Sequence, residues 1–124
     1  YNPELMVANV DPCTFWPILY QEGIIETNTE LHAGEVETSQ MLAVAPESVH
    51  LERAIDFVPE VPRPYLSYGS IFRASPSGVW GEPSKASAEK GERVFARSAE
   101  LAVAALQDAF AYMEAKEKFH YSNF

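Results

Sequence analysis

The chain has a single cysteine, Cys13, so an intrachain disulfide is excluded. That usage favours a reducing compartment. No histidine or basic residue flanks Cys13 to activate its thiol, which argues against a nucleophilic role. No apolar run approaches the roughly eighteen residues that a membrane span needs. No signal-peptide pattern is present. Positive charge is scarce: nine Lys and Arg stand against eighteen Asp and Glu, a net charge of -9. Such a polyanion does not seek nucleic acid or an acidic membrane surface. The chain also lacks a Gly-rich phosphate loop, a nucleophile elbow and zinc-finger spacing. These absences point to a cytoplasmic protein with neither nucleic acid nor membrane as partner.

What is present is enough for one folded domain. The 124 residues are 47% hydrophobic and 12% aromatic, sufficient for a small core. Nine prolines are many for this length, and they cluster mid-chain. Residues 5–10 form a short apolar run that predicts a buried strand, ended by Asp11-Pro12. Tyr1 is not an initiator Met, and a strand beginning this early reads as the downstream part of something longer. Thr14 to Tyr20 is apolar and aromatic but holds Pro17, so a helical turn is expected.

A helix is expected to start near Gly34 or Glu35, with acidic residues in its first turn suiting the dipole, and Pro46 stops it. A turn from Glu47 to Arg53 leads into a short element at 54–58. Residues 59–83 read as an ordered but irregular segment, because Tyr65, Tyr68, Phe72 and Trp80 are too apolar for a linker; a short strand is expected at 68–73. From Ser87, a good N-cap, the spacing of Val94, Leu101, Ala102, Ala105, Ala109 and Met113 predicts one long amphipathic helix. It should end around Ala115–Lys118, leaving His120 to Phe124 as a tail.

The segment Glu30-Leu31-His32-Ala33-Gly34-Glu35-Val36-Glu37 carries the chemistry, with three carboxylates and one histidine in eight residues. His32 lies just before the helix and Glu37 one turn into it. A carboxylate beside an imidazole can hold, orient and move a proton. The plain alternative has His32 as a cap and Glu37 as a solvated first-turn acid. Glu30 is a candidate second carboxylate at the site, and Glu35 is expected to face solvent. His50 and His120 stand without metal-ligand spacing and read as surface or packing residues. Trp16, with Phe15 and Tyr20, forms either an aromatic wall for a flat substrate or core; Trp80 has the same two fates.

Two blocks resemble the creatininase-like amidohydrolases. One is His32-Ala33-Gly34-Glu35-Val36-Glu37-Thr38-Ser39-Gln40-Met41-Leu42, followed by Ala45-Pro46-Glu47-Ser48-Val49. The other runs from Gly78-Val79-Trp80-Gly81-Glu82-Pro83 through Glu92 into the last helix. Their order and separation match as well, so residues 1–124 look like the C-terminal half of such a domain. The resemblance implies an α/β fold, three-layered, with a mainly parallel sheet flanked by helices and often hexameric. It implies hydrolysis of a C–N bond in a small amide or cyclic amide at a site with two divalent ions, zinc or manganese. His32 would be the active-site histidine and Glu37 its support.

The family's metal ligands lie in its N-terminal half: an early Glu-x-His, a following Asp and an Asn-Gly-His-x-x-Asn type motif. None occurs here, so no metal ligand is assigned in this chain. The ions would be bound mainly by a companion chain carrying the missing half, in a homo- or hetero-oligomer. Family members acting on creatinine carry a Trp four residues before the motif histidine. Asn28 stands there in this sequence. Trp16, Asn28 and Glu30 are therefore the substrate-binding candidates, and the expected substrate is a small neutral or weakly cationic amide other than creatinine. A formylated pyrimidine, a short peptide and an oxidised inositol ring fit the family equally. The alternative to catalysis is an interaction or scaffold subunit that retained the fold.

Overall fold

Helix capping and close glycine contacts organise this chain more than strand pairing does. The computed structural model of the chain describes Leu5 and residues 7–116. Its helices are α1 (Trp16–Gln21), α2 (Glu35–Val44), α3 (Ile71–Ala74) and α4 (Ala88–Lys116), joined by 3₁₀ turns and irregular segments. The expected end of α4 beyond Lys116, the tail with His120, and Tyr1 all lie outside the described residues.

The α4 helix starts where the sequence predicts. The Ser87 hydroxyl accepts the Lys90 amide at 3.2 Å, satisfying one of the orphan donors of the first turn. Val94 is buried, and Leu101, Ala102, Ala105, Ala109 and Met113 are half-buried on one face. The α2 helix packs against the start of α4. Ser39 Oγ accepts the Ser87 amide at 3.2 Å, and a Cβ placed on Gly91 would lie 2.0 Å from the Ser39 carbonyl oxygen. Only a glycine lets the two backbones approach so closely. Leu19, Ile24, Ile25, Val36 and Val94 form the core, with Trp16 packed against them.

Both ends of α2 follow the expectation: Gly34 precedes it and Pro46 follows it. The turn Pro12–Phe15 runs directly into α1, with Pro17 in the first turn, where its missing N–H costs nothing.

Two expected strands are corrected. Residues 7–10 form no strand, and Leu5 and Val7 are exposed. Asp11 instead opens a turn, its carboxylate accepting the Cys13 amide at 2.9 Å. Residues 68–73 are not a strand either: a 3₁₀ turn at Arg63–Ser67 leads to α3, where the Ser70 hydroxyl accepts the Phe72 amide at 3.3 Å. Capping by Ser70 outcompetes the β-propensity of the flanking residues. The expected mainly parallel sheet is not seen among the described residues. They contain two isolated antiparallel bridges, His32 with Trp80 and Phe57 with Gly81. Three extended pieces thus lie side by side, and the short element expected at 54–58 reduces to its contact at Phe57.

Candidate active site

The bridge to Trp80 positions the loop that carries the histidine. The Leu31 and His32 amides both donate to the Trp80 carbonyl, at 2.8 and 3.1 Å, and the Trp80 amide donates to the His32 carbonyl at 2.8 Å. Trp80 is 3% exposed, so its ring belongs to the interior and not to a substrate wall. Ala33 then adopts a positive φ of 51°, which turns the chain sharply into α2. Gly34 is needed next: a Cβ there would lie 2.8 Å from Glu30 Cδ and 3.0 Å from Gly81 Cα. The His-Ala-Gly sequence is therefore the local device that swings His32 beside the helix start.

Glu37 reaches back from the first turn of α2. Its Oε2 accepts the Ala33 amide in a short hydrogen bond and lies 3.6 Å from His32 Nδ1. At 3.6 Å this is an ion-pair contact once His32 is protonated, not a hydrogen bond. A carboxylate on the Nδ1 side orients the ring and leaves Nε2 to exchange a proton. Both side chains are roughly half exposed, and they line a pocket with a volume of about 540 Å³. That is within the usual size range of small-molecule sites. Thr38, Ser48 and Ser77 add hydroxyls to its wall.

The other three candidates are brought together elsewhere. Trp16, Asn28 and Glu30 line a smaller pocket of about 60 Å³, with Cys13 and Arg63. Glu30 is 1% exposed. Its Oε1 accepts the Val36 amide at 2.7 Å, at the positive end of α2. Its Oε2 is buried with no hydrogen-bond partner among the described residues. Burial pushes its carboxyl up to about 7 against the pull of the helix amides.

Glu35 corrects the sequence reading. It is fully buried, not solvent-facing. Its carboxylate accepts the Glu26 amide at 3.0 and 3.1 Å and the Thr27 amide at 2.8 Å, and it pairs with Lys90 at 2.6 Å. These partners offset the cost of burying the charge. Phe15 is core and Tyr20 is exposed, so neither forms a wall with Trp16.

His50 and Arg53 line the large pocket although nothing in their local sequence marks them. They sit on and before a 3₁₀ turn, Leu51–Arg53, that only the tertiary fold carries to the site.

Among the described residues, no three His, Cys, Asp or Glu side chains are grouped so as to hold a metal ion. His32 and Glu37 supply two donors, and Glu30 directs one oxygen at a helix amide. This donor set does not fit a two-metal centre.

The sequence model of the creatininase family, described as creatinine amidohydrolase, matches residues 5–106. A creatinine amidohydrolase of Pseudomonas putida is 35% identical over 96 residues, covering 73% of this chain and 34% of that protein. A mycofactocin precursor peptide peptidase of Mycobacterium ulcerans (strain Agy99) is 40% identical over 70 residues, 54% of this chain and 28% of the peptidase. A 3-dehydro-scyllo-inosose hydrolase of Thermotoga maritima is 39% identical over 82 residues, 50% of this chain and 26% of that enzyme. The crystal structure of a candidate creatinine amidohydrolase from Bacteroides fragilis NCTC 9343 superposes with a TM-score of 0.58 at 27% identity, over 97% of this chain and 47% of its own. That likeness supports an α/β fold. The chain spans about a third or less of the curated relatives it matches, and about half of the solved one. The family match takes in the His32 loop, Glu37 and the Trp80 turn that holds them, and the chain belongs to the creatininase family.

Proposed function

We propose that this chain supplies the proton-handling wall of a hydrolase that breaks a C–N bond in a small amide. The observation that carries this is the placement of His32 Nδ1 3.6 Å from Glu37 Oε2 on the wall of a pocket of about 540 Å³. The matches to a creatinine amidohydrolase and a peptide peptidase support the reaction class. A water oxygen adds to the carbonyl carbon and the C–N bond breaks. His32 carries a proton to the leaving amine, while Glu37 stabilises the imidazolium between the two transfers.

The two divalent ions expected of the family, zinc or manganese, find no donor set among the described residues. We assign their ligands to a companion chain carrying the N-terminal half of the domain. The strands of the mainly parallel, three-layered sheet belong to the complete fold in this reading. Exposed Val103 and Phe110 on α4 support an assembly with that companion or with further copies, up to the family's hexamer. No helix among the described residues is long and apolar enough to cross a membrane, and a cytoplasmic location is consistent with the lone cysteine.

The native assembly tests this. Its metal content, its co-purifying chains and its mass by light scattering are measured, and it is assayed against creatinine, a formylated pyrimidine, a cyclic polyol ketone and short peptides. Hydrolysis of one of these, lost in His32→Ala, supports the proposal. An assembly free of metal and inert on all four is a scaffold subunit instead.

A further inference from the structure

The pocket that holds His32 and Glu37 also presents a guanidinium paired through its Nε alone among the described residues. Arg53 lines it, and Glu52 Oε1 lies 3.6 Å from Arg53 Nε and 3.2 Å from His50 Nδ1. The two terminal nitrogens of Arg53 donate no hydrogen bond among the described residues. Arg97 shows the contrast: Glu22 clamps it through two hydrogen bonds of 2.8 and 2.7 Å. In a chain with eighteen acidic residues and nine basic ones, Arg53 is the one Lys or Arg in the lining of this pocket, which Glu37 also lines. The fork geometry matches a carboxylate in two parallel hydrogen bonds. His50 adds a further donor beside it when protonated.

The remainder of the lining is mostly apolar. Met41, Val49, Leu51, Ile55, Val79 and Pro83 all contribute. Such walls suit a hydrocarbon side chain. The volume of about 540 Å³ accommodates a dipeptide-sized ligand. An apolar body, a carboxylate at the Arg53 fork and an amide at His32 define one molecule.

Resting on the hydrolase reading above, we propose that Arg53 selects an amide whose amine half is an apolar amino acid bearing a free carboxylate. Hydrolysis adds the water oxygen to the acyl carbon, breaks the C–N bond and releases the amino acid with the transferred proton on its nitrogen. The acyl half leaves as a carboxylate.

The native assembly is assayed with N-acetylglycyl-leucine, the same compound as its C-terminal carboxamide, and a cyclic polyol ketone. N-acetyl-leucine and an acetylated tetrapeptide ending in leucine separate a free acylamino acid from a peptide terminus. Arg53 is largely exposed, so one charged hydrogen-bonded pair is worth about a 10-fold preference for the carboxylate in KM. Arg53→Gln should abolish that preference by raising KM for the acid alone, with kcat unchanged, and Arg53→Lys should restore part of it. The same ligands are titrated calorimetrically into His32→Ala. Carboxylate-selective binding without any turnover by the native assembly supports the recognition and overturns the hydrolase reading. Equal affinity for acid and carboxamide, or tighter binding of the polyol ketone, overturns the role of Arg53.

Discussion

The Lys90 ammonium lies 2.6 Å from the Glu35 carboxylate across 55 residues of chain. The same nitrogen donates to Glu26 Oε1 at 2.6 Å and to the Lys85 carbonyl at 2.7 Å. One cation thus ties the loop before α2, the first residue of α2 and the start of α4. Glu35 is fully buried while Glu26 is exposed, so the Glu35 arm carries the energetic weight.

Lys90→Met should therefore destabilise the fold by about 3 kcal/mol, the low end for breaking a buried pair, because backbone amides still partner Glu35. Urea unfolding of the two proteins measures it. A loss below about 1 kcal/mol would show that the amides alone satisfy the carboxylate.

Glu30 should make stability fall as pH rises. Its folded-state value of about 7 lies above the ordinary glutamate value of 4.5. Between those two the unfolded chain has released the proton and the folded chain still holds it, so the slope is negative. Above pH 7 the accumulated loss is on the order of 3 kcal/mol and levels off. Glu30→Gln removes the titration and keeps an acceptor for the Val36 amide. The stability difference between the two proteins, followed from pH 4 to 8, should shift in favour of the variant. A flat difference curve would refute the buried, proton-holding Glu30.

Gly91→Ala should destabilise although alanine is the better helix former by about 1 kcal/mol. The added Cβ would meet the Ser39 carbonyl oxygen at 2.0 Å, and backbone cannot move aside as a side chain does. Separating α2 from α4 should leave a net loss of about 2 kcal/mol or more. Thermal unfolding reads this directly, and a raised Tm would contradict the close crossing of the two helices.

His32→Ala should lower kcat of the assembly by about 10²–10⁴-fold, the contribution typical of a general acid or base. Metal content and Tm should hardly change, because His32 is about half exposed and is not grouped with further metal donors among the described residues. Glu37→Gln keeps an oxygen for the Ala33 amide and removes only the charge beside Nδ1. It should give a smaller loss of kcat with an altered pH profile. Metal loss in His32→Ala would instead make the histidine a ligand.

The candidate site is partly legible in the sequence. His32 and Glu37 meet because they are separated by one sharp turn and one helical turn, which is local geometry. Glu30 was legible as a carboxylate but not in its place: a side chain two residues before His32 turns under the helix start and joins Trp16 and Asn28 at a different pocket. His50 and Arg53 were not legible as site residues, since a 3₁₀ turn carries no spacing that marks a pocket.

The sequence by itself determined the features that depend on neighbours in the chain. The Ser87 cap, the Pro46 stop, the Gly34 entry to α2 and the apolar face of α4 each arise within a few residues, through capping hydrogen bonds, lost donors and helical periodicity. The motif blocks around His32 and Trp80 identified the family for the same reason. Tertiary structure alone decided which carboxylates are buried. Glu35 and Glu37 are two residues apart on one helix, yet one is sealed and the other half exposed, because Lys90 and the Glu26 and Thr27 amides converge on Glu35. Burial of a charge depends on partners supplied from distant parts of the chain, and no local pattern announces where those partners will arrive.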